Sequence, residues 1–303
     1  MTTPLHIKTI SEYHALRGLP KPKHPLISVI NFDDMDQSGE LGAQSLIFDF
    51  YNISIKRGMN YKYQYGQQDY DFDEGIMFFM APKQVLRIEK KEGYQNPSGW
   101  MLLIHPDFLW NTPLAAAIRQ YEFFGYSVHE ALFLSGEEEL KIRQIIDNIQ
   151  QEYHSNIDRF SQGIIISQLE TLLNYSDRFY QRQFITRNKA NHHVLEQLEK
   201  LLEDYFNDAA LISKGLPTVQ YISDQLHMSP TYLRSLLKML TGQNTQQLIH
   251  QKVIDRAMEK LSTTDLSVGE IAYELGFEHP QSFNKLFKQK TSVTPMEFRQ
   301  RFN

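Results

Sequence analysis

Two short stretches near the end of the chain carry side chains suited to reading nucleic acid. Thr231, Tyr232, Arg234, Ser235 and Lys238 are interleaved with Leu233, Leu236 and Leu237, and Gln281, Ser282, Asn284, Lys285 and Lys288 are interleaved in the same way with Phe283, Leu286 and Phe287. Arg and Lys can donate to guanine O6 and N7, Asn and Gln can pair with adenine, and hydroxyls can reach bases or phosphates. Lys238 and Lys288, at equivalent places, are suited by type to neutralising phosphate. Any one of these residues would pass as ordinary polar helix surface. The argument for a shared chemistry is that the pattern occurs twice.

The stretches that position these residues are themselves repeated. TVQYISDQLHMSPTYLRSLLKMLTG lies over SVGEIAYELGFEHPQSFNKLFKQKTS with one extra residue in the turn of the second copy. Ile222 and Leu226 match Ile271 and Leu275 on a short first helix. Leu233, Leu236 and Leu237 match Phe283, Leu286 and Phe287 on a second. Each unit buries one side only, as a helix-turn-helix requires: the first helix braces and the second offers its outer face to the major groove. Between the copies, Leu248, Ile249, Val253, Ala257 and Leu261 recur at helical spacing from Thr245 on, which predicts a long connecting helix. If it holds the second helices roughly 34 Å apart, one chain can enter two successive major-groove segments.

Charge gives partial support. The 303-residue chain has a net charge of -5, against the usual sign for a phosphate binder. Its distribution runs the other way, however. No acid occurs between Asp224 and Asp255, where Arg234, Lys238 and Lys252 lie, nor between Glu278 and Glu297, where Lys285, Lys288 and Lys290 lie.

Catalytic chemistry finds little to work with. There is no cysteine, so no disulfide framework or thiolate metal site is available. A metal-dependent barrel enzyme would need histidines converging from strands, with a carboxylate nearby. His105 precedes Pro106 and Asp107 without a second strand histidine, and His192 and His193 fall in a polar stretch. No G-x-S-x-G, P-loop, G-x-G-x-x-G or H-E-x-x-H pattern is present. No catalytic residue, metal or cofactor is therefore expected. A nonspecific architectural DNA binder would be basic overall and would use minor-groove arms or apolar wedges, which this acidic chain with two major-groove readers does not match.

The length suggests about two domains, and 41% hydrophobic with 22% charged residues is a globular balance. MTTPLHIKTI lacks the build of a signal peptide and no run approaches membrane-spanning length, so a soluble cytoplasmic protein is expected. Up to about residue 134 the pattern is one of strands. Tyr61, Tyr63 and Tyr65 alternate with polar residues, as do Tyr70 and Phe72, and IMFFM is a short apolar run ending at Ala81-Pro82. These predict a barrel or sandwich. The aromatic set would line a pocket or fill a core, the core being the simpler reading.

From Ser135 the period becomes helical. Leu140, Ile142, Ile145, Ile146, Ile149 and Tyr153 fall on one side of a helix N-capped by Ser135, and a second helix is predicted from about Asp158 to Phe179 with Phe160, Ile164, Leu169, Leu172 and Leu173 available for packing. The helices of 135–180 would pack within the subunit or form a dimer interface. Residues 181–192, QRQFITRNKANH, lose the apolar period and read as a linker, and 193–303 read as an all-α domain.

The second unit carries Ile271-Ala272, Leu275-Gly276-Phe277, Ser282-Phe283, Phe287-Lys288, Thr294-Pro295 and Phe298-Arg299. On these residues the last third, roughly 195–303, resembles the AraC/XylS family of bacterial transcription regulators. It departs from that pattern at Ser292, where glycine is usual, at Leu237, where an aromatic is frequent, and at Phe298, where tyrosine is usual. The resemblance implies seven helices with base contacts from both recognition helices. For the first two thirds the resemblance is one of arrangement: a cupin-like β-barrel for a small effector, then dimerising helices. It therefore implies an N-terminal effector-binding and dimerisation domain over 1–180 and a DNA-binding domain over 193–303. The implied partners are double-stranded promoter DNA in the nucleoid, RNA polymerase, a small effector and a second copy of the chain.

Overall fold

The computed structural model describes residues 4–35, 44–57, 64–65, 68–69, 75–88, 98–127, 130–155, 158–186, 188–208 and 211–301. They fall into two compact units, residues 1–186 and 187–303.

Unit 1 begins with β1 (Leu5–Ile7), α1 (Ile10–Leu16), β2 (Ile27–Asn31), β3 (Gln44–Phe48), β4 (Tyr51–Arg57), β5 (Gln64–Tyr65) and β6 (Gln68–Asp69). It continues with β7 (Ile76–Met80), β8 (Val85–Ile88), β9 (Ser98–Ile104), α2 (Leu114–Ala117), β10 (Leu132–Phe133), α3 (Gly136–His154) and α4 (Ser161–Thr186). The strands form a five-stranded antiparallel sheet in the order β10-β7-β4-β9-β2, a three-stranded sheet β1-β3-β8 and the small pair β5-β6.

The larger sheets are linked by a shared bend. β3 pairs with β8 and β4 pairs with β7, and the chain turns from one sheet to the other at Asp49-Phe50 and again at Ala81–Gln84. The second corner is closed by Lys83, at φ 70°, whose backbone N–H donates to the Phe48 carbonyl. Between the sheets lie Ile7, Ile30, Leu46, Phe48, Phe50, Met80, Met101 and Leu103. The expected barrel is thus corrected in one respect: among the described residues the strands form facing sheets without closing, and β2 and β10 remain as edges. The corners place the three-stranded sheet across the face of the five-stranded one, which buries that face without completing a ring. Tyr61, Tyr63, Tyr70 and Phe72 lie outside the described residues, as does the side chain of Tyr65.

The opposite face of the large sheet is covered by aromatic and helical residues, with Phe79 at 4.4 Å from Phe123 and Phe123 stacked on Tyr180 of α4 at 5.6 Å. Ser135 caps α3 in a capping box with Glu138. Leu140, expected to pack, is 61% exposed, and Phe160 and Ile164 are also exposed. The helix expected to stop at Phe179 runs to Thr186, through half of the predicted linker. The polarity of that stretch has another cause. The Gln183 amide accepts from Phe133 N–H at 2.9 Å and donates to the Ala131 carbonyl at 3.2 Å, while Arg182 pairs with Glu138 at 2.5 Å and donates to the Phe133 carbonyl at 2.7 Å. These side chains satisfy the backbone around β10. No helix of the described chain is long and apolar enough to cross a membrane.

Unit 2 is all helical: α5 (Asn188–Asn207), α6 (Leu211–Lys214), α7 (Val219–Gln225), α8 (Pro230–Thr241), α9 (Thr245–Thr263), α10 (Val268–Glu274), α11 (Pro280–Thr291) and α12 (Pro295–Arg299). Among the described residues that is one more helix than the resemblance implied, the additional one being the single turn α6. Ile222, Leu233, Leu236, Leu237, Val253, Ala257, Ile271, Phe283 and Phe287 are buried in it. Gly276, at φ 83°, approaches the backbone of Gly215 so closely that a Cβ would stand 3.0 Å from its carbonyl carbon. A side chain there would push the second turn off the loop after α6.

Candidate nucleic-acid interface

The two recognition helices are built by the same local chemistry. Thr218 caps α7 and Ser267 caps α10 in a capping box with Glu270. Each first helix then ends in a left-handed residue, His227 at φ 54° and Gly276 at φ 83°. The next residue donates back across the turn, Met228 N–H to the Ser223 carbonyl at 2.9 Å and Phe277 N–H to the Ala272 carbonyl at 3.0 Å. Proline follows at the first position of α8 and of α11, where its missing N–H and fixed φ cost nothing. The additional residue of the second turn places His279 at the N-cap of α11, without the side-chain hydrogen bond that Ser229 supplies to α8.

The likeness extends beyond the aligned stretch. α8 and α11 both end at a left-handed cap, Gly242 at φ 73° and Ser292 at φ 65°, and each cap N–H donates at 2.9 Å, to the Lys238 and Lys288 carbonyls respectively. Thr241 and Thr291 both bond the carbonyl four residues back at 2.8 Å. Asn244 with Gln247, and Thr294 with Glu297, then form capping boxes that start α9 and α12. α8 is thus capped at both ends and α11 at its C-terminal end, and the rotation of each helix about its axis decides what it presents.

That rotation is set by the buried stripes. Arg234 and Lys238 are exposed on α8, with Thr231 and Ser235 half-buried beside them; Gln281, Ser282, Asn284, Lys285 and Lys288 are all exposed on α11. Tyr232 is the exception and corrects the expected set. Only 2% exposed, it joins Leu233, Leu236 and Leu237 in a broader apolar face, because residues i, i+1, i+4 and i+5 share one side of a helix. Its counterpart Ser282 is exposed, so the second reader has the wider polar face.

Neither recognition helix contains an acid, and four acids of neighbouring elements, Glu203, Glu270, Glu274 and Glu297, are held by other partners. Glu203 of α5 pairs with Lys252 at 2.5 Å and with Arg256, so Lys252, although in an acid-free stretch of sequence, is neutralised from another helix. Glu274 pairs with Lys260 at 2.8 Å. The carboxyls of Glu270 and Glu297 are held below the usual glutamate range by the hydrogen bonds they receive in their capping boxes, from Ser267 and Thr294. Lys290 is exposed on α11, and the pKa of His250 on α9 is lowered first by burial and then by the Lys290 charge, which places that ammonium on the α9 side of the second reader. The acid-free window signalled Lys290, but the outer-face count omitted it.

Arg299 has a different task. Its guanidinium donates to the Leu261 carbonyl at 3.3 Å and the Leu266 carbonyl at 2.5 Å, stapling α12 to the end of α9. Among the described residues no group of three or more His, Asp or Glu side chains comes together in a metal-holding cluster.

Residues 222–301 match the protein-family model described as a helix-turn-helix domain. The transcriptional regulatory protein YesN of Bacillus subtilis (strain 168) is 40% identical over 110 residues, which cover 36% of this chain and 28% of that protein. The HTH-type transcriptional regulator YfiF of the same organism is 24% identical over 262 residues, covering 82% of this chain and 76% of that protein. The HTH-type transcriptional activator RhaS of Escherichia coli O1:K1 / APEC is 28% identical over 162 residues, 53% of this chain and 54% of that protein. Among solved structures, the C-terminal domain of the two-component response regulator yesN from Fusobacterium nucleatum is 29% identical, with a TM-score of 0.32 over 35% of this chain and 98% of that domain.

Proposed function

We infer, from a C-terminal region that is a helix-turn-helix domain of the AraC type, that the chain is a sequence-specific transcription regulator working in the cytoplasm on the nucleoid. The observation that carries this reading is the duplicated recognition helix with an acid-free outer face. Thr231, Arg234, Ser235, Gln281, Ser282, Asn284 and Lys285, toward the N-terminal ends of the helices, contact base edges, and Lys238 and Lys288 contact phosphate. α9, with 19 residues, is about 28 Å long. A connector of that length suits two readers in successive major-groove segments on one face of the duplex. The footprint should then show two patches about one helical turn apart; patches on opposite faces would refute it.

The first 180 residues serve regulation, with no catalytic role. Leu140, Phe160 and Ile164, apolar and exposed on or beside α3 and α4, favour these helices as the contact between two copies of the chain. A small effector acts by binding one arrangement of the protein more tightly than another, and RNA polymerase is met at the promoter. Pull-down of fragmented genomic DNA with the full chain tests the central claim. A few promoter fragments sharing a two-part site should be recovered and should be lost with the double variant Arg234→Ala, Lys285→Ala. Equal recovery of all fragments would overturn sequence-specific recognition.

A further inference from the structure

We propose that a rigid turn at one end of unit 1 is a protein-docking surface, with Trp110 as its apolar anchor and Arg159, Lys21 and Lys23 as its cationic rim. The partner that fits it is an acidic segment bearing large apolar side chains. Trp110 follows the tight turn Pro106–Leu109 and is 70% exposed, in a residue type that is usually well covered. Its two predecessors, Phe108 and Leu109, are buried. They hold the turn down and leave the indole outside.

The turn is fastened from several directions. His105 Nδ1 accepts from the Asp107 N–H at 3.2 Å, the His105 N–H donates to the Leu26 carbonyl at 2.8 Å, and the Gln162 amide of α4 donates to the Phe108 carbonyl at 2.8 Å. Beyond Trp110, Asn111 sits at φ 61° and the Thr112 hydroxyl donates back to the Leu109 carbonyl at 2.7 Å. An anchor fixed in this way loses little backbone freedom on binding.

Three cations reach this turn from two other parts of the chain. Gln162 ties it to the start of α4, where the Arg159 guanidinium lies 4.5 Å from the ring centre of Phe160. His24 packs edge-on against Phe108 at 5.4 Å and the Lys23 N–H donates to the Tyr153 hydroxyl at 2.7 Å, which fixes the strap 20–25 carrying Lys21 and Lys23. Pro20, Pro22 and Pro25, with the restriction they place on Leu19, Lys21 and His24, keep that strap extended. Lys21, Lys23 and Arg159 are exposed, and among the described residues none of the three is paired with a carboxylate. Of the acids on the turn and at the start of α4, Asp158 accepts from the Phe160 and Ser161 N–H groups at 2.7 and 3.1 Å, and Asp107 stays exposed beside His105 at 3.5 Å. No acid occurs between Glu12 and Asp33, although unit 1 as a whole has more acids than Lys and Arg. The cations are therefore a local concentration.

Trp and Arg are the residues that most often carry the binding energy of protein interfaces. A complement to this surface needs apolar bulk for the indole and carboxylates for the rim. A second copy of the chain fits poorly, because a symmetric contact centred on Trp110 would set the rim against its own image. Duplex DNA would meet the cations and leave the indole without a partner.

Short random peptides displayed on phage are panned against the full chain without DNA, so the outcome is independent of how unit 2 reads its site. The recovered peptides should be rich in Asp and Glu and carry at least one Phe, Trp, Tyr or Leu. Added to the Trp100→Phe variant, which leaves Trp110 as the only tryptophan, they should move its emission to shorter wavelength as the indole is covered. Trp110→Ala, and separately Lys21→Gln with Lys23→Gln, should each weaken binding about tenfold. Added salt should weaken wild-type binding more than that of the double lysine variant. All three positions are exposed, so both variants should fold, with unfolding temperatures near that of the wild type. Peptides without an acidic bias, affinity unchanged by Trp110→Ala, or no enrichment at all would overturn the proposal. So would a shift of Trp110 emission with protein concentration alone, which would give the surface to a second copy, or with an oligonucleotide, which would give it to nucleic acid.

Discussion

Replacing Lys56 by methionine should make the free protein more stable, an unusual expectation for removing a charge. Burial, and then the neighbouring Arg17, lower the pKa of this ammonium from 10.5 to about 8. At neutral pH that corresponds to roughly 3 kcal/mol lost by keeping the charged form inside. The Phe32 and Phe78 rings return on the order of 1 kcal/mol of cation–π attraction. Lys56 also retains some solvent access, which screens part of the penalty. A net gain of about 1–2 kcal/mol is therefore expected for Lys56→Met, whose side chain fills much the same space. The pH dependence gives the mechanism its own signature. Between pH 8 and 10.5 the folded wild type releases a proton that the unfolded chain still holds, so wild-type stability rises relative to the variant and the gap closes. Urea unfolding at pH 7 and pH 10 would measure this. The chain has two tryptophans, Trp100 and Trp110, both in unit 1, so their fluorescence reports the unit concerned. A less stable variant at pH 7, or a gap unchanged at pH 10, would refute the reasoning.

Unit 2 offers sharper comparisons because one copy serves as the control for the other. Ser292 holds a left-handed cap at φ 65° where the first copy has Gly242, so Ser292→Gly should stabilise by about 1 kcal/mol once the greater freedom of glycine in the unfolded chain is subtracted; a loss of stability in calorimetry would count against it. Ser223 is fully buried with an unpartnered hydroxyl, and its counterpart is the buried Ala272, so Ser223→Ala should add about 1 kcal/mol in denaturant unfolding. The carboxyls of Glu270 and Glu297, lowered by their capping bonds, should contribute stability above the ordinary glutamate range that is lost as pH falls through their depressed values. A carboxyl-carbon NMR titration should place both midpoints below 4.5, and midpoints at 4.5 would mean the boxes do not form in solution.

What could be read from the sequence depended on whether a pattern had one structural meaning. In unit 2 it had: Ile222 with Ile271 and Leu233 with Phe283 mark the inner faces, and the repeat made coincidence implausible. Tyr232 was misplaced because an amphipathic tyrosine can end either an apolar or a polar face, and a one-residue rotation about the helix decides which. Lys252 was misread because its partner, Glu203, comes from a helix distant in sequence.

In unit 1 the patterns had two meanings. The polarity of Gln181 to Gln183 read as a linker, yet Arg182 and Gln183 serve the backbone around β10, and buried hydrogen bonds of that kind leave no periodic trace. β4 is the most telling case. Asn52, Ser54 and Lys56 alternating with Ile53 and Ile55 would ordinarily mark a strand with one wet face. Both faces are covered here, and only the second sheet, brought round by the bends at Asp49-Phe50 and Ala81–Gln84, makes the polar row internal. The same alternation that would mark an open sheet surface becomes, once the second sheet covers it, a row in which Asn52 and Ser54 are buried. The DNA-reading half was therefore legible because its function lies on an exterior that repeats. Unit 1 was less so, because the setting of its polar strand residues is created only by tertiary structure.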